Sequence, residues 1–152
     1  MNMVDYHSVM TAAEQKCLHQ GIRFTRRRKQ VLSVLIEADV ALSAYEIAER
    51  CNADSDSNMP AMSVYRILDL FQEQNLIHKL DIANKYVCCA HISCSHKHDN
   101  SQFLICGSCR HVEEISLSDD AVQALQAAAS AAGFDAISPQ LEIKGRCSRC
   151  EQ

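Results

Sequence analysis

Two cysteine pairs carry the strongest chemical signal in this chain. Cys106-Gly-Ser-Cys109 and Cys147-Ser-Arg-Cys150 are both C-x-x-C. Two thiolates at that spacing can grip one metal ion from a tight turn, and two such turns complete the tetrahedral four-sulfur site that zinc favours. The 37 residues between the pairs exceed the usual zinc-ribbon gap but leave room for a helix and a strand. The competing reading is a redox dithiol, which normally follows a strand in a thioredoxin-like βαβ unit. No such unit is legible here, and one redox pair leaves the other unexplained. A second concentration of ligand chemistry lies in YVCCAHISCSHKH, residues 86–98. Cys88, Cys89, His91, Cys94, His96 and His98 fall within eleven positions, too many for a single four-coordinate site.

The chain has nine cysteines, an odd number. The N-terminal MNMVDYHSVMTAAEQK lacks the basic start and apolar run of a signal peptide, and no apolar stretch approaches the roughly 20 residues of a membrane span. A cytoplasmic location without membrane attachment is expected, and reducing conditions there disfavour structural disulfides. Metal binding therefore accounts best for the paired cysteines. Cys17 and Cys51, each isolated in a helical pattern, read as ordinary buried thiols.

The elements that must position these groups follow from periodicity. With 152 residues and 47% apolar content, the chain can form one ordinary domain or two small ones. Residues 8–20 and 26–38 read as amphipathic helices, the first ended by Gly21 and the second capped by Thr25. Ser43 and Glu46 have capping-box spacing before a third helix, in which Ile47 and Cys51 face inward. Pro60 suits the first turn of a fourth helix, where Val64, Ile67, Leu68 and Phe71 make one buried stripe. LIHKL and KYVCC read as strands joined by DIAN. Helices followed by a small hairpin form a winged-helix pattern, with the helix near 60–74 as the recognition helix.

Past residue 88 the character changes. SQFLIC and HVEEI read as strands. Ser118, Asp119 and Asp120 begin a helix whose apolar face is Val122, Leu125, Ala129 and Ala132, and Gly133 ends it. FDAISPQLEIKG reads as an interrupted strand. This second unit is too small to hold itself together without a metal, a partner subunit or both. The expected organisation is α+β: a winged-helix DNA-binding domain over 1–87, a linker over 88–98, and a small α/β dimerisation domain over 99–152 carrying the four-cysteine site.

The net charge of −4 does not exclude nucleic acid, because Arg23 to Lys29 places five basic residues in seven. A winged helix inserts one helix in the major groove, so Arg66 is the first candidate for a base contact. Ser63 and Tyr65 are candidates for phosphate or base edges. Arg23, Arg27, Arg28 and Lys79 are candidates for phosphate.

RFTRRRKQVL, LSAYEIAE, MSVYRILDLFQEQNLIHKL, YVCC, FLICGSCRHVEE and GRCSRC run in an order that resembles the ferric uptake regulator superfamily, specifically its zinc uptake regulator branch. The resemblance spans nearly the whole chain. It implies a homodimeric, metal-dependent repressor that binds palindromic operator DNA and controls zinc uptake genes. Tyr45 matches a DNA-contacting position of the family. Two zinc ions per subunit are implied, one structural and one regulatory. The regulatory ligands would be His78, Cys89, Glu114 and one histidine of the tract, His98 being preferred and His96 the runner-up. Such a set draws on the wing, the linker and the second unit, so a bound metal would favour one domain arrangement over others. One thiolate, two imidazoles and a carboxylate suit Zn(II) better than iron or manganese. Cys88, His91 and Cys94 stay outside this set, as loop residues or a weaker extra site, with Cys88 and Cys94 also open to a redox-sensing role. Arg26 replaces the proline usual in the family's second-helix motif and adds charge. The His-rich tail of some members is not found before Gln152.

A regulator of the same superfamily sensing iron, manganese, nickel or peroxide is the alternative, and a thiolate at Cys89 argues for zinc. An enzyme acting on a small-molecule substrate is not expected, because the chain has no H-E-x-x-H, no G-x-S-x-G and no phosphate loop.

Overall fold

The computed structural model describes residues 3–53, 56, 58–93, 101–135 and 140–151. These fall into two units, Met1–Ser95 and His96–Gln152.

In the first unit, local capping signals place the helices. Helix α1 spans Met3–His19, starting earlier than the periodicity predicts. Gly21 follows at φ 69°, a left-handed conformation that costs glycine nothing, and the Ile22 amide donates to the Cys17 carbonyl at 2.8 Å. Helix α2 spans Arg26–Glu37, and the Thr25 hydroxyl accepts from the Arg28 amide. Helix α3 spans Ala44–Ala53 behind the expected capping box. The Ser43 amide donates to Glu46 Oε2 at 2.7 Å, and the Glu46 amide donates back to Ser43 Oγ at 3.2 Å. Pro60 takes the N-cap of α4, Ala61–Glu73. The Asn52 side chain exchanges two hydrogen bonds with the Met59 backbone and so fixes the approach to α4. Strands β1 (Ile77–Leu80) and β2 (Lys85–Cys88) pair antiparallel as the expected hairpin.

Val31, Leu32, Leu35, Ile47, Cys51, Val64, Leu68 and Phe71 share one core with Ala13 and Cys17. Each large side chain in it is worth about 1.5–3 kcal/mol of transfer free energy, so this packing outweighs the polar contacts. Cys17 and Cys51 are buried thiols, as expected, and burial pushes the pKa of Cys51 up to about 11.

One link between α3 and the hairpin is not legible in the sequence. Lys85 Nζ donates to both Glu46 oxygens, at 3.1 and 3.0 Å, while Leu42 and Tyr86 form a β-bridge alongside. The Ser43 backbone bond, helped by Lys85, lowers the Glu46 pKa from 4.5 to about 2. Because the folded value lies below the unfolded one, this stabilisation is complete above about pH 4.5 and fades as pH falls toward 2. The pair is partly exposed, so the cap dominates its worth. Glu46→Ala, which removes both the cap and the Lys85 pair, is expected to lose about 1 kcal/mol at pH 7 and to flatten the acid limb of stability. Urea unfolding from pH 7 to pH 2 measures both; identical pH profiles would contradict the assignment.

In the second unit, β3 (Ser101–Cys106) is central in a sheet ordered β4-β3-β5. Strand β4 (Val112–Ser116) pairs with it antiparallel, and β5 (Glu142–Gly145) pairs parallel on its other edge. A parallel partner requires a crossover, which α5 (Asp119–Ala131) supplies. The Ser118 hydroxyl caps α5 through the Ala121 amide at 3.3 Å, and Gly133 follows at φ 81°. Within FDAISPQLEIKG, Glu142 to Gly145 pair with β3. Residues 136–139 lie outside the described residues. Of the apolar face expected on α5, Val122 is buried while Leu125 is 38% exposed.

Candidate metal centre and nucleic-acid surface

The β3–β5 register brings the two C-x-x-C pairs together. Cys106 ends β3 opposite Gly145, and Cys147 follows two residues later. The Gly107 amide donates to the Gly145 carbonyl at 2.9 Å, and Arg110 takes φ 62° to close the first turn. The second turn is a single 3-10 turn, Ser148–Cys150. All four sulfurs lie within 4.8 Å of one another. Cys109 and Cys147 are 3.6 Å apart, too far for a bond of about 2.05 Å but close to the ~3.8 Å that Zn–S lengths of about 2.3 Å imply in a tetrahedron.

The electrostatics fit a cation. Backbone amides of Cys109, Cys147 and Ser108 lower the Cys106 pKa to about 5, favouring negative charge within the group. Burial opposes ionisation of Cys147, but its bond with Cys109 helps bring the pKa down. Bonds to Cys109 and Cys147 push Cys150 up to about 12. Four sulfurs this close cannot all shed their protons unless positive charge enters among them. The residues therefore fit a metal that takes four thiolates.

The proposed regulatory ligands are placed as follows. His78 on β1 is opposite Val87, and Cys89 lies two residues beyond Val87. Side chains alternate along a strand, so Cys89 is diagonal to His78 on the same face, with Cys88 on the other. The Cys89 amide donates to the Leu76 carbonyl at 3.0 Å and extends the ladder. A ring nitrogen of His78 and the buried Cys89 Sγ lie within 4.8 Å of each other. Glu114 is on β4, where its Oε1 accepts from Ser101 Oγ at 2.6 Å. His96, His98 and Cys94 lie outside the described residues. His91 donates its amide to Cys89 Sγ at 3.4 Å.

The candidate DNA residues of the first unit divide by exposure. Tyr45, at the start of α3, is 69% exposed and meets Tyr65 of α4 edge-on at 6.2 Å. Arg66 is exposed on α4, and Ser63 and Tyr65 are half-buried beside it in sequence. Arg23 and Arg27 are exposed. Arg28 is half-buried and donates Nη1 to the Arg23 carbonyl, which fixes the turn before α2. Lys79 is half-buried on β1. The sequence reading did not find Lys29 as a structural cation: it pairs with Glu14 at 2.9 Å and lies 5.8 Å from the Phe24 ring. Nothing local separates Lys29 from its arginine neighbours; its partner on α1 does. No helix among the described residues is long and apolar enough to cross a membrane.

Residues 19–144 match the ferric uptake regulator family. The zinc uptake regulation protein of Escherichia coli strain K12 is 29% identical over 150 residues, covering 99% of this chain and 85% of that protein. A solved zinc uptake regulator complexed with zinc and DNA superposes with a TM-score of 0.81 at 26% identity, over 99% of this chain and 96% of that one. The holo form of XcZur superposes with a TM-score of 0.75 at 33% identity, over 93% and 95% of the two chains. With residues 19–144 of its 152 matched, this chain belongs to the ferric uptake regulator family.

Proposed function

We propose that this chain is a zinc-responsive transcriptional repressor that binds palindromic operator DNA as a homodimer and controls zinc uptake genes. The observation that carries the reading is the ligand chemistry: a four-cysteine group, and separately a thiol beside an imidazole at the end of the wing. The relatives named for zinc uptake regulation support it across nearly the full chain. Cys106, Cys109, Cys147 and Cys150 would hold a structural zinc. His78, Cys89, His98 (or His96) and Glu114 would hold a regulatory one, giving two per subunit. Zinc supplies a cation that ties these donors together; the residues supply its selectivity, since a thiolate in the set favours zinc over iron or manganese. The domain scheme of 1–87, 88–98 and 99–152 belongs to the same proposal, as does a cytoplasmic, non-enzymatic role.

Homodimerisation rests on the second unit. Leu104, Leu125, Phe134 and Ile143 are exposed apolar side chains in a unit whose buried apolar residues, among those described, are Phe103, Cys106 and Val122. A second copy covering them supplies the core the unit lacks. The DNA face rests on exposed Arg66 in the recognition helix with Tyr45, Ser63 and Tyr65. Arg23, Arg27, Arg28 and Lys79 would hold phosphates.

The test is a DNA-binding titration over free zinc, iron and manganese, with metal content measured on the same sample. Zinc-selective operator binding is expected; equal or better binding with iron or manganese overturns the zinc assignment. In the same assay Arg66→Ala is expected to reduce operator preference by about tenfold or more while leaving non-specific affinity within about threefold. Equal losses on both DNAs would make Arg66 a phosphate contact.

A further inference from the structure

Helix α4 turns its main apolar stripe inward and leaves Ile67 and Leu70 half-buried. Val64, Leu68 and Phe71 are buried, yet Met62 is 65% exposed. It stands in the first turn of α4, four residues before Arg66. Residues four apart share a helix face, so Met62 and Arg66 form one outward stripe, about 6 Å apart along the axis. Tyr65, next to Arg66 in sequence, meets the exposed ring of Tyr45 edge-on.

An exposed methionine here does nothing for the core. The N-terminal residues of a recognition helix are those that reach base edges, and the thymine C5-methyl is the apolar mark of the major groove. Methionine is unbranched and polarizable, which suits it to such a contact. The surrounding side chains favour DNA over a protein partner: exposed Arg23, Arg26, Arg27 and Arg66 belong to the same unit. Six ångströms corresponds to about two base-pair steps, so one turn of helix can present an arginine and a methionine to nearby bases.

We propose that Met62 is a specificity-determining residue that reads the C5-methyl of a thymine close to the base contacted by Arg66. This rests on the DNA-binding reading above. The stripe thus couples a hydrogen-bond donor with an apolar reader, and the operator half-site carries a thymine within about two steps of the base Arg66 contacts.

The test uses the zinc-loaded full chain and a duplex selected from random sequence in the presence of zinc. Each thymine of a half-site is replaced in turn by deoxyuridine, which removes the methyl alone. At one thymine the wild type is expected to lose about fourfold in affinity, the worth of one buried methyl group. Met62→Ala binds the thymine and deoxyuridine duplexes equally, while Met62→Leu retains discrimination. Met62 is exposed, so folding is not at stake. A selective zinc-dependent complex in which no thymine methyl matters, or in which Met62→Ala keeps the full discrimination, overturns this proposal and leaves the repressor reading standing. Absence of any selective complex overturns both.

Discussion

Replacing Cys109 with serine is expected to release one zinc per chain and to free the C-terminal strand from the sheet. The reason is the poor hold that β5 has otherwise. Ile143, Lys144 and Gly145 of β5 are exposed and Glu142 is half-buried, so apolar burial contributes little there. What remains is a short parallel ladder, including the Phe103 amide to the Leu141 carbonyl at 2.9 Å and the Gly107 amide to the Gly145 carbonyl. Each such bond nets about 1 kcal/mol. A structural zinc contributes about 10–16 kcal/mol in small domains, so the clamp outweighs the ladder. Cys109 faces Cys147 across the site at 3.6 Å, and its loss breaks the tie between the two turns. The checks are metal content, sedimentation for the dimer, and protease cleavage after residue 140. A folded, fully metallated Cys109→Ser dimer would sink the four-cysteine assignment.

The second large effect is expected from the wing. His78→Ala and Cys89→Ser should each keep the zinc of the four-cysteine site and still lose the zinc response of DNA binding. The free zinc needed for half-maximal operator binding should rise by about 100-fold or more, because even indirect supporters of a metal ligand cost 10- to 100-fold. Two variants are needed because the two sites differ in burial. Cys89 is 1% exposed within the first core, so serine there also leaves a buried hydroxyl that costs about 1–3 kcal/mol. His78 is only half-buried. Agreement between the two isolates the ligand role from packing. Cys88→Ser is the internal control, since Cys88 is on the opposite face of the hairpin and should leave the response unchanged. An unchanged zinc response in both His78→Ala and Cys89→Ser would remove these residues from the regulatory site.

Much of the fold is legible in the sequence because its signals are local. Thr25, Ser43 with Glu46, and Ser118 cap helices through amides three residues away, so spacing alone announces them. The hairpin is bounded by its own turn. The C-x-x-C pairs announce ligand chemistry for the same reason: each pair bites from a single turn. The readings that needed revision concern burial and pairing. Helix α5 has an apolar face in sequence, yet Leu125 is exposed, because periodicity tells which residues seek a partner and not whether one is present. Of the strand expected from Phe134 onward, the described part is Glu142–Gly145, whose extent is set by its pairing with β3.

By itself, then, the sequence determined the ligand types, the helix boundaries at their caps, the winged-helix order and the basic segment before α2. Tertiary structure decided which distant side chains meet. It brought Lys85 to Glu46, Tyr45 to Tyr65, and Cys109 to Cys147. It also tied Lys29 to Glu14 and Arg28 to the Arg23 carbonyl, while Arg23 and Arg27 are exposed. Within the first unit, antiparallel register placed His78 diagonal to Cys89 and sent Cys88 to the other face. The physical reason is the range of the forces. Capping and periodicity act within a turn or two of chain, whereas register, burial and charge pairing depend on surfaces contributed by elements far apart in sequence.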